Sequence, residues 1–325
     1  MQRILIVGGS GFIGTHLATR LLALGHRVAI FDKAPSPAHP QLVTIGDVRD
    51  APALAAAVAG CDCVINLAAE HRDDVRPATR YFEVNVGGAE NLARAAAEHG
   101  VPRLIFFSTV ALYGLDQPCA DERSPLKPFN AYAQSKAEAE KVYSRWAAAG
   151  AARSLLILRP VVVFGEGNRG NVHNLIEQLR RRRLPMIGSG RNRKSLAYIG
   201  NVVEFVCQRL DIRGSELFNY SDPPDRTMRD LVALICALLG RPAPTWAIPY
   251  WLGSAAGYAG DALALLLRRP LAISSVRVRK FCANTQVSSA LLDATGFVRP
   301  YTLEHGLART IADMVEHVSA SALSR

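Results

Sequence analysis

The stretch RILIVGGSGFIGTHLATRLL, residues 3–22, limits the fold more than any other feature of this chain. A short apolar run is followed by glycines at positions 8, 11 and 14, and then by apolar residues at helical spacing. The same alternation recurs. RVAIF (27–31), CVINL (63–67), RLIFF (103–107) and SLLILRP (154–160) read as strands, with helical patterns over residues 12–24, 80–98 and 131–149. Near-continuous apolar strands separated by helices require cover on both faces, which predicts an α/β fold with a doubly wound parallel sheet. In such sheets ligands bind at the carboxyl ends of the strands. After about Pro160 the alternation gives way to loops rich in Gly, Asn and Arg (FGEGNRGN, GSGRNRKS) and to helices out of step with it. A smaller C-terminal substrate lobe is expected there, interleaved with the last sheet strands. The expected division is 1–165 for the nucleotide-binding unit and 166–325 for the lobe.

An apolar fraction of 49% and a charged fraction of 20% belong to a globular chain. The net charge of +10 favours anionic partners, either acidic lipid or a phosphorylated substrate. Nucleic acid is not an expected partner, because no recognisable module or interleaved aromatic pattern accompanies the charge. The six cysteines form no CxxC pair and no His/Cys ligand spacing, so no metal is expected. Cys61 and Cys63, two apart, are expected to share one face of a strand, and the thiols to be buried and reduced in a cytoplasmic protein. MQRILIVGG enters a strand at once, with an apolar run too short for a signal peptide.

Gly8, Gly11 and Gly14, with Phe12 and Ile13 in the same turn, lie between a strand and a helix. Glycine there permits a tight turn and close backbone approach to a pyrophosphate, whose charge suits the helix N-terminus. The second strand runs into Asp32, a carboxylate placed to accept from both ribose hydroxyls and to repel a 2′-phosphate. That makes NAD the expected cofactor, although the adjacent Lys33 moderates the preference. Asp47 and Val48, in GDVRD, are expected at the adenine edge.

In NAYAQSKAEAE, Asn130 can cap a helix carrying Tyr132 and Lys136 one turn apart on one face. A free tyrosine titrates at about 10, too high for a base at neutral pH. A neighbouring ammonium favours the phenolate, which suits Tyr132 to removing a proton from a sugar hydroxyl. Lys136 is also expected to bind the cofactor ribose. Ser108 and Thr109, at the end of RLIFF, are expected to hold the same substrate oxygen.

Together the GxxGxxG turn, NLAA after the CVIN strand, the Ser-Thr pair and YxxxK resemble the extended short-chain dehydrogenase/reductase family over nearly the whole chain. The resemblance implies a Rossmann sheet, NAD as cofactor, and catalysis by Thr109, Tyr132 and Lys136. It also places Leu67, Ala68, Ala69, Asn85, Arg159 and Pro160 around the cofactor and implies a homodimer built through a helix bundle. Dehydratases of the family follow the catalytic threonine with Asp-Glu. Here Val110 and Ala111 follow, leaving epimerisation or simple oxidation and reduction.

The runs AAEHRDDV (68–75), FGEGNRGNVHNL (164–175), SLAYIGNVVEF (195–205) and SSVRVRKFCANTQ (274–286) resemble the family's bacterial 4-epimerases of lipid-linked N-acetylhexosamine. That branch inverts carbon 4 of GlcNAc to give GalNAc on undecaprenyl diphosphate, through a transient 4-keto sugar, in O-antigen assembly. A UDP-linked amino sugar, or a net ketoreductase or dehydrogenase reaction, are the alternatives. Candidate substrate residues are His71 and Arg72 (with Asp73 and Asp74), Asn171, Arg191, Arg193 and Lys194. A solvated loop or a salt-bridge network reads the same charges equally well. The run Arg180–Arg183 closes a helix, where cations suit the C-terminal carbonyls as well as a lipid.

Residues 248–270, IPYWLGSAAGYAGDALALLLRRP, carry a single charge, Asp261, before their two arginines. Pro249, three glycines and Asp261 oppose a membrane-spanning helix. Two readings then stand: a helix buried in the substrate lobe, or one lying in a membrane interface with Trp246, Tyr250, Trp251 and Tyr258 at headgroup level. In the second, Arg268, Arg269, Arg277, Arg279 and Lys280 meet anionic lipid at the cytoplasmic face of the inner membrane.

Overall fold

A computed structural model describes residues 1–72, 75–115, 117, 119–181, 186–267, 269 and 274–323. The first half runs β1 (Arg3–Val7), α1 (Phe12–Ala23), β2 (Arg27–Asp32), β3 (Val43–Ile45), α2 (Ala51–Val58) and β4 (Cys63–Asn66). One continuous helical stretch follows as α3 (Thr79–Phe82), a π turn (Glu83–Gly87) and α4 (Gly88–Glu98), and then come β5 (Arg103–Phe107), α5 (Ala131–Ala148) and β6 (Ser154–Pro160). The second half begins with β7 (Val162–Phe164), α6 (Asn171–Arg180), β8 (Met186–Ile187), β9 (Arg193–Lys194), β10 (Leu196–Tyr198), α7 (Ile199–Gln208) and β11 (Ser215–Tyr220). It closes with β12 (Arg226–Thr227), α8 (Met228–Leu238), β13 (Ala247–Ile248), α9 (Tyr250–Leu267), α10 (Ser275–Cys282), α11 (Ala290–Asp293) and α12 (Leu303–Leu323).

Seven strands form one parallel sheet in the order β11-β6-β5-β4-β1-β2-β3. The order reverses between β1 and β4, the switch point at which doubly wound sheets bind ligands. Successive strand residues serve opposite faces. Ile4, Ile6, Ile105 and Phe107 enter one core with α1 and α7, while Leu5, Val7, Leu104 and Phe106 enter the other with α2, α4 and α5. β11, contributed by the second half of the chain, completes the sheet beside β6.

Local chemistry explains where the helices begin. Asp50 accepts from Ala53 N at 3.1 Å ahead of α2, and Asn130 accepts from Ala133 N at 2.8 Å ahead of α5. Two expectations about cysteine are corrected. Cys61 lies in the turn before β4 and packs in the core opposite to that of Cys63, so the two do not share a strand face. Cys119 is exposed and adopts a positive φ of 43°, so the thiols are not uniformly buried.

Over its described part, Tyr250–Leu267, the apolar segment is not a helix buried in the lobe. α9 buries only Gly253 and Gly257 fully, and most of its apolar side chains face outward. Among the described residues no helix is long and apolar enough to cross a membrane. Arg268 and Pro270 lie outside the described residues, as do Arg182 and Arg183 of the basic run. At the end of α6, Arg180 and Arg181 both pair with Glu177.

Candidate active site

The glycine turn is built around contacts that side chains would destroy. Gly8 has φ +79°, and a Cβ there would sit 2.6 Å from the Ala68 nitrogen. At Gly14 a Cβ would sit 2.4 Å from Gly9 Cα, where α1 crosses the turn. Gly11 precedes α1, and a Cβ there would meet only Gly8 O, at 3.5 Å. α1 has no side-chain cap and no acid in its first turn, which leaves the N–H groups and positive dipole end at its start suited to an anion. Phe12 packs edge-on against His16 at 5.3 Å and Ile13 against the core, fixing the helix without blocking that end. This is the cradle a pyrophosphate requires.

At the end of β2, the Asp32 carboxylate accepts from Ser10 N and from Ala34 N, each at 3.0 Å. Each oxygen keeps a further lone pair for a ribose hydroxyl. Asp47 is engaged in a fork with Arg49 at 3.0 and 2.7 Å, which holds its carboxyl below the usual range. Val48 is pinned by Asn91, whose Nδ2 donates to Val48 O at 3.0 Å, and its side chain lies against Gly88. Leu67, Ala68 and Ala69 pass over Gly8, with Leu67 N donating to Val7 O at 2.8 Å and Ala68 N to Asn66 Oδ1 at 3.0 Å. Asn85, inside the π turn, accepts from Glu70 N at 2.8 Å and donates to Glu70 O and Ser135 Oγ at 3.1 and 2.9 Å. Its amide therefore clips this loop to α5. Pro160 ends β6, buried beside Tyr220 of β11. These residues fit NAD.

Gly14→Ala is expected to cost about 1–3 kcal/mol, because the backbone it meets cannot swing away. Gly11→Ala has room in the fold but intrudes on the cofactor's side. It should leave the melting temperature unchanged while weakening NAD binding. Thermal unfolding and NAD titration of both variants check this, and an unshifted melt for Gly14→Ala would refute the packing argument.

The residues expected to be catalytic come together where α5 meets the end of β5. Lys136 is 2% exposed, with Nζ donating to Phe107 O at 2.5 Å and lying 4.1 Å from the centre of the Phe106 ring. Burial lowers its pKa to about 7, against the opposing charge of Glu140. Directly after Phe107 come Ser108 and Thr109. Ser108 Oγ is buried without a hydrogen-bond partner, and Thr109 Oγ1 accepts from Ala111 N at 3.1 Å, leaving its hydroxyl proton to give. Tyr132 is half-buried one turn before Lys136, its ring 6.4 Å from that of Tyr81. An unpartnered buried hydroxyl is costly in a finished core, and this one lies at the carboxyl end of β5, where doubly wound sheets bind ligands.

The expected substrate residues are dispersed. Arg72 forks onto Glu70 at 2.9 and 2.7 Å and draws that carboxyl's pKa to about 2, while His71 Nδ1 lies 3.4 Å from Ala69 O. Asp73 and Asp74 lie outside the described residues. Asn171 opens α6 and is exposed, following a loop that Glu166 anchors to Tyr198 and Arg309. Arg191 is exposed. Arg193 donates to Asp225 O at 3.1 Å, and Lys194 Nζ donates to the α10 carbonyls of Lys280 and Ala283 at 2.8 and 2.6 Å. Lys194 thus holds a helix terminus.

One constellation escaped the sequence reading. Glu140, a turn beyond Lys136, is forked by Arg159 of β6 at 2.9 and 2.6 Å, and Arg159 Nη1 donates to Tyr113 OH at 2.8 Å. Tyr113 in turn donates to Asn219 Oδ1 of β11 at 2.8 Å. The available signal was an arginine inside a wholly buried strand, since a charge there requires a partner.

Comparison with known proteins agrees with this geometry. A model of the NAD dependent epimerase/dehydratase family matches residues 4–219. The N-acetyl-α-D-glucosaminyl-diphospho-ditrans,octacis-undecaprenol 4-epimerase of Escherichia coli O157:H7 is 46% identical over 95% of this chain and 94% of its own. The structure of MoeE5 with UDP-glucuronic acid and NAD superposes with a TM-score of 0.77 at 25% identity, covering 97% of this chain and 99% of that one. The NAD complex of UDP-glucose 4-epimerase from Thermus thermophilus shares the fold, with a TM-score of 0.75 at 22% identity, covering 96% and 98% of the two chains. The family model covers well over half of the chain and the Escherichia coli relative nearly all of it, and the chain belongs to the NAD-dependent epimerase/dehydratase family.

Proposed function

We propose that this enzyme interconverts GlcNAc and GalNAc at carbon 4 while the sugar is attached to undecaprenyl diphosphate, in surface-polysaccharide assembly. The observation that carries the proposal is the near full-length likeness to the Escherichia coli epimerase. The unpartnered Ser108 hydroxyl beside Thr109 and Lys136 supports it, because the chemistry needs polar groups converging on one sugar oxygen. Bound NAD supplies the acceptor and donor of the carbon 4 hydride. Tyr132 takes the proton of the 4-hydroxyl and later returns it. Thr109 and Ser108 hold that oxygen, and Lys136 supplies the positive charge that favours the phenolate. Inversion further requires the 4-keto sugar to present its other face before carbon 4 regains its hydride; the proton from Tyr132 then restores the hydroxyl. A pocket that grips the diphosphate more firmly than the sugar permits that turn.

The test supplies purified enzyme and catalytic NAD with undecaprenyl-diphospho-GlcNAc or with UDP-GlcNAc, and assays the released sugar. GalNAc from the lipid substrate is the expected product. GalNAc from UDP-GlcNAc alone would transfer the assignment to a nucleotide-sugar epimerase. Stoichiometric consumption of NAD or NADH without inversion would make the enzyme a dehydrogenase or reductase.

A further inference from the structure

α9 has one packed face and one bare face. Gly253 lies against Ile187 of β8, and Gly257 against the backbone at Ser275 of α10, so close that a Cβ would reach 2.6 and 2.8 Å from them. The only charge of the helix is also turned inward: Asp261 accepts from Ser275 N at 3.2 Å and from its hydroxyl. What remains outside is apolar. Trp251 is 70% exposed, Tyr258 69%, Leu265 82% and Leu266 79%. Leu252, Leu263 and Leu267 extend the same surface, and Trp246 approaches from before the helix. So many large apolar side chains exposed along one helix mark a binding surface.

The surroundings of the patch say what binds it. Exposed Arg269 lies just beyond the C-terminus of α9 and exposed Arg279 on the adjoining α10, which also carries Arg277 and Lys280. Arg279 lines a cleft of about 320 Å³ with Ile187, Ser189, Asn192 and Tyr250. An aromatic and leucine-rich face with basic residues at its margin matches the interface of an anionic bilayer, with arginines at phosphate level.

We infer that the bare face of α9 docks in the plane of an anionic lipid bilayer, bringing the cleft at Arg279 to the headgroups. The inference deepens the lipid-carrier proposal and takes its purpose from it. The docking element is stapled to the substrate lobe. β13 pairs with β8, Gly188 N donates to Ile248 O at 2.8 Å, and Asn192 and Lys194 hold the end of α10. A bilayer-bound α9 therefore fixes the height of residues 186–194 above the membrane.

The test floats NAD-loaded enzyme with sugar-free vesicles of phosphatidylethanolamine and phosphatidylglycerol, or of phosphatidylcholine alone. The variant carries Trp251→Glu, Leu265→Glu and Leu266→Glu, all at exposed positions, and its NAD affinity and melting temperature should match wild type. Wild type is expected to float with the anionic vesicles and to be released by salt, and the variant to lose binding by more than about tenfold. The inference is overturned if wild type stays in the aqueous phase, or if the variant floats equally well. It is also overturned if, without lipid, the substitutions dissociate a wild-type oligomer, which would give the face to a second copy. Because the vesicles carry no substrate, failure here leaves the epimerase assignment untouched, and failure of that assignment leaves vesicle binding to be measured.

Discussion

Lys136→Met is expected to lower kcat by roughly 10²–10⁴-fold, the usual range for losing acid–base assistance, and to alter how stability depends on pH. The catalytic loss follows from its place at the end of β5, one turn from Tyr132, where an ammonium favours the phenolate. The pH effect follows from burial. The lysine's pKa falls from 10.5 to about 7 in the folded enzyme. Between those values the unfolded chain binds more protons than the native one, so stability rises with pH across that window. Below about pH 7 both states are protonated, and the folded state bears the full cost of a buried ammonium. Methionine carries no such charge. The variant should therefore be more stable than wild type at the acidic end, with the difference shrinking as pH rises. Urea unfolding of both proteins without NAD, across this window, measures it. Parallel stability curves would mean that Lys136 is not buried as a titrating group. A kcat within tenfold of wild type would remove it from the catalytic machinery.

The central sheet was legible in the sequence because parallel strands covered on both faces are written as uninterrupted apolar runs. RILIV and SLLILRP coincide with β1 and β6, and Asn130 caps α5 as its position suggests. The positions of Ser108, Thr109, Tyr132 and Lys136 were equally visible, being fixed by strand-end and helix-turn spacing within short segments. Less was legible beyond Pro160. Strands of two residues such as β8, β9 and β13 carry no periodic signal, yet they decide what the basic loop touches. Lys194 illustrates the limit, since a lysine in a glycine-rich loop reads as an anion grip until the α10 carbonyls that it caps arrive from 86 and 89 residues away. The orientation of α9 was also undetermined. An almost uniformly apolar segment has no polar face to point toward water, and the close approaches at Gly253 and Gly257, with the bonds of Asp261 to Ser275, show which side is packed. The cysteine expectation failed for a simpler reason. β4 begins at Cys63, so alternation along a strand did not apply to Cys61.

Glu140→Ala is expected to cost about 3–5 kcal/mol of folding stability, the penalty for leaving one member of a buried pair uncompensated. The pair sits at the junction of α5 and β6, with the two side chains only 8% and 5% exposed. Burial works against the Arg159 charge, but the bonds and charge of Glu140 outweigh it and hold its pKa above the usual arginine value. Removing the carboxylate leaves a guanidinium that keeps only Tyr113 among these partners. It also removes the charge that supports a protonated Lys136. The double variant Glu140→Leu, Arg159→Met separates the two effects. Replacing both ions by apolar groups of similar volume should restore most of the lost stability, as buried pairs commonly permit. Activity should nevertheless stay low, because Lys136 has lost its neighbouring carboxylate and Tyr113 its tether between β6 and β11. Urea midpoints of wild type, Glu140→Leu, Arg159→Met and the double variant complete a coupling cycle, and kcat is read on the same four proteins. A double variant no more stable than Glu140→Ala would refute the buried-pair account. One that regained full activity would show that the pair serves the fold alone.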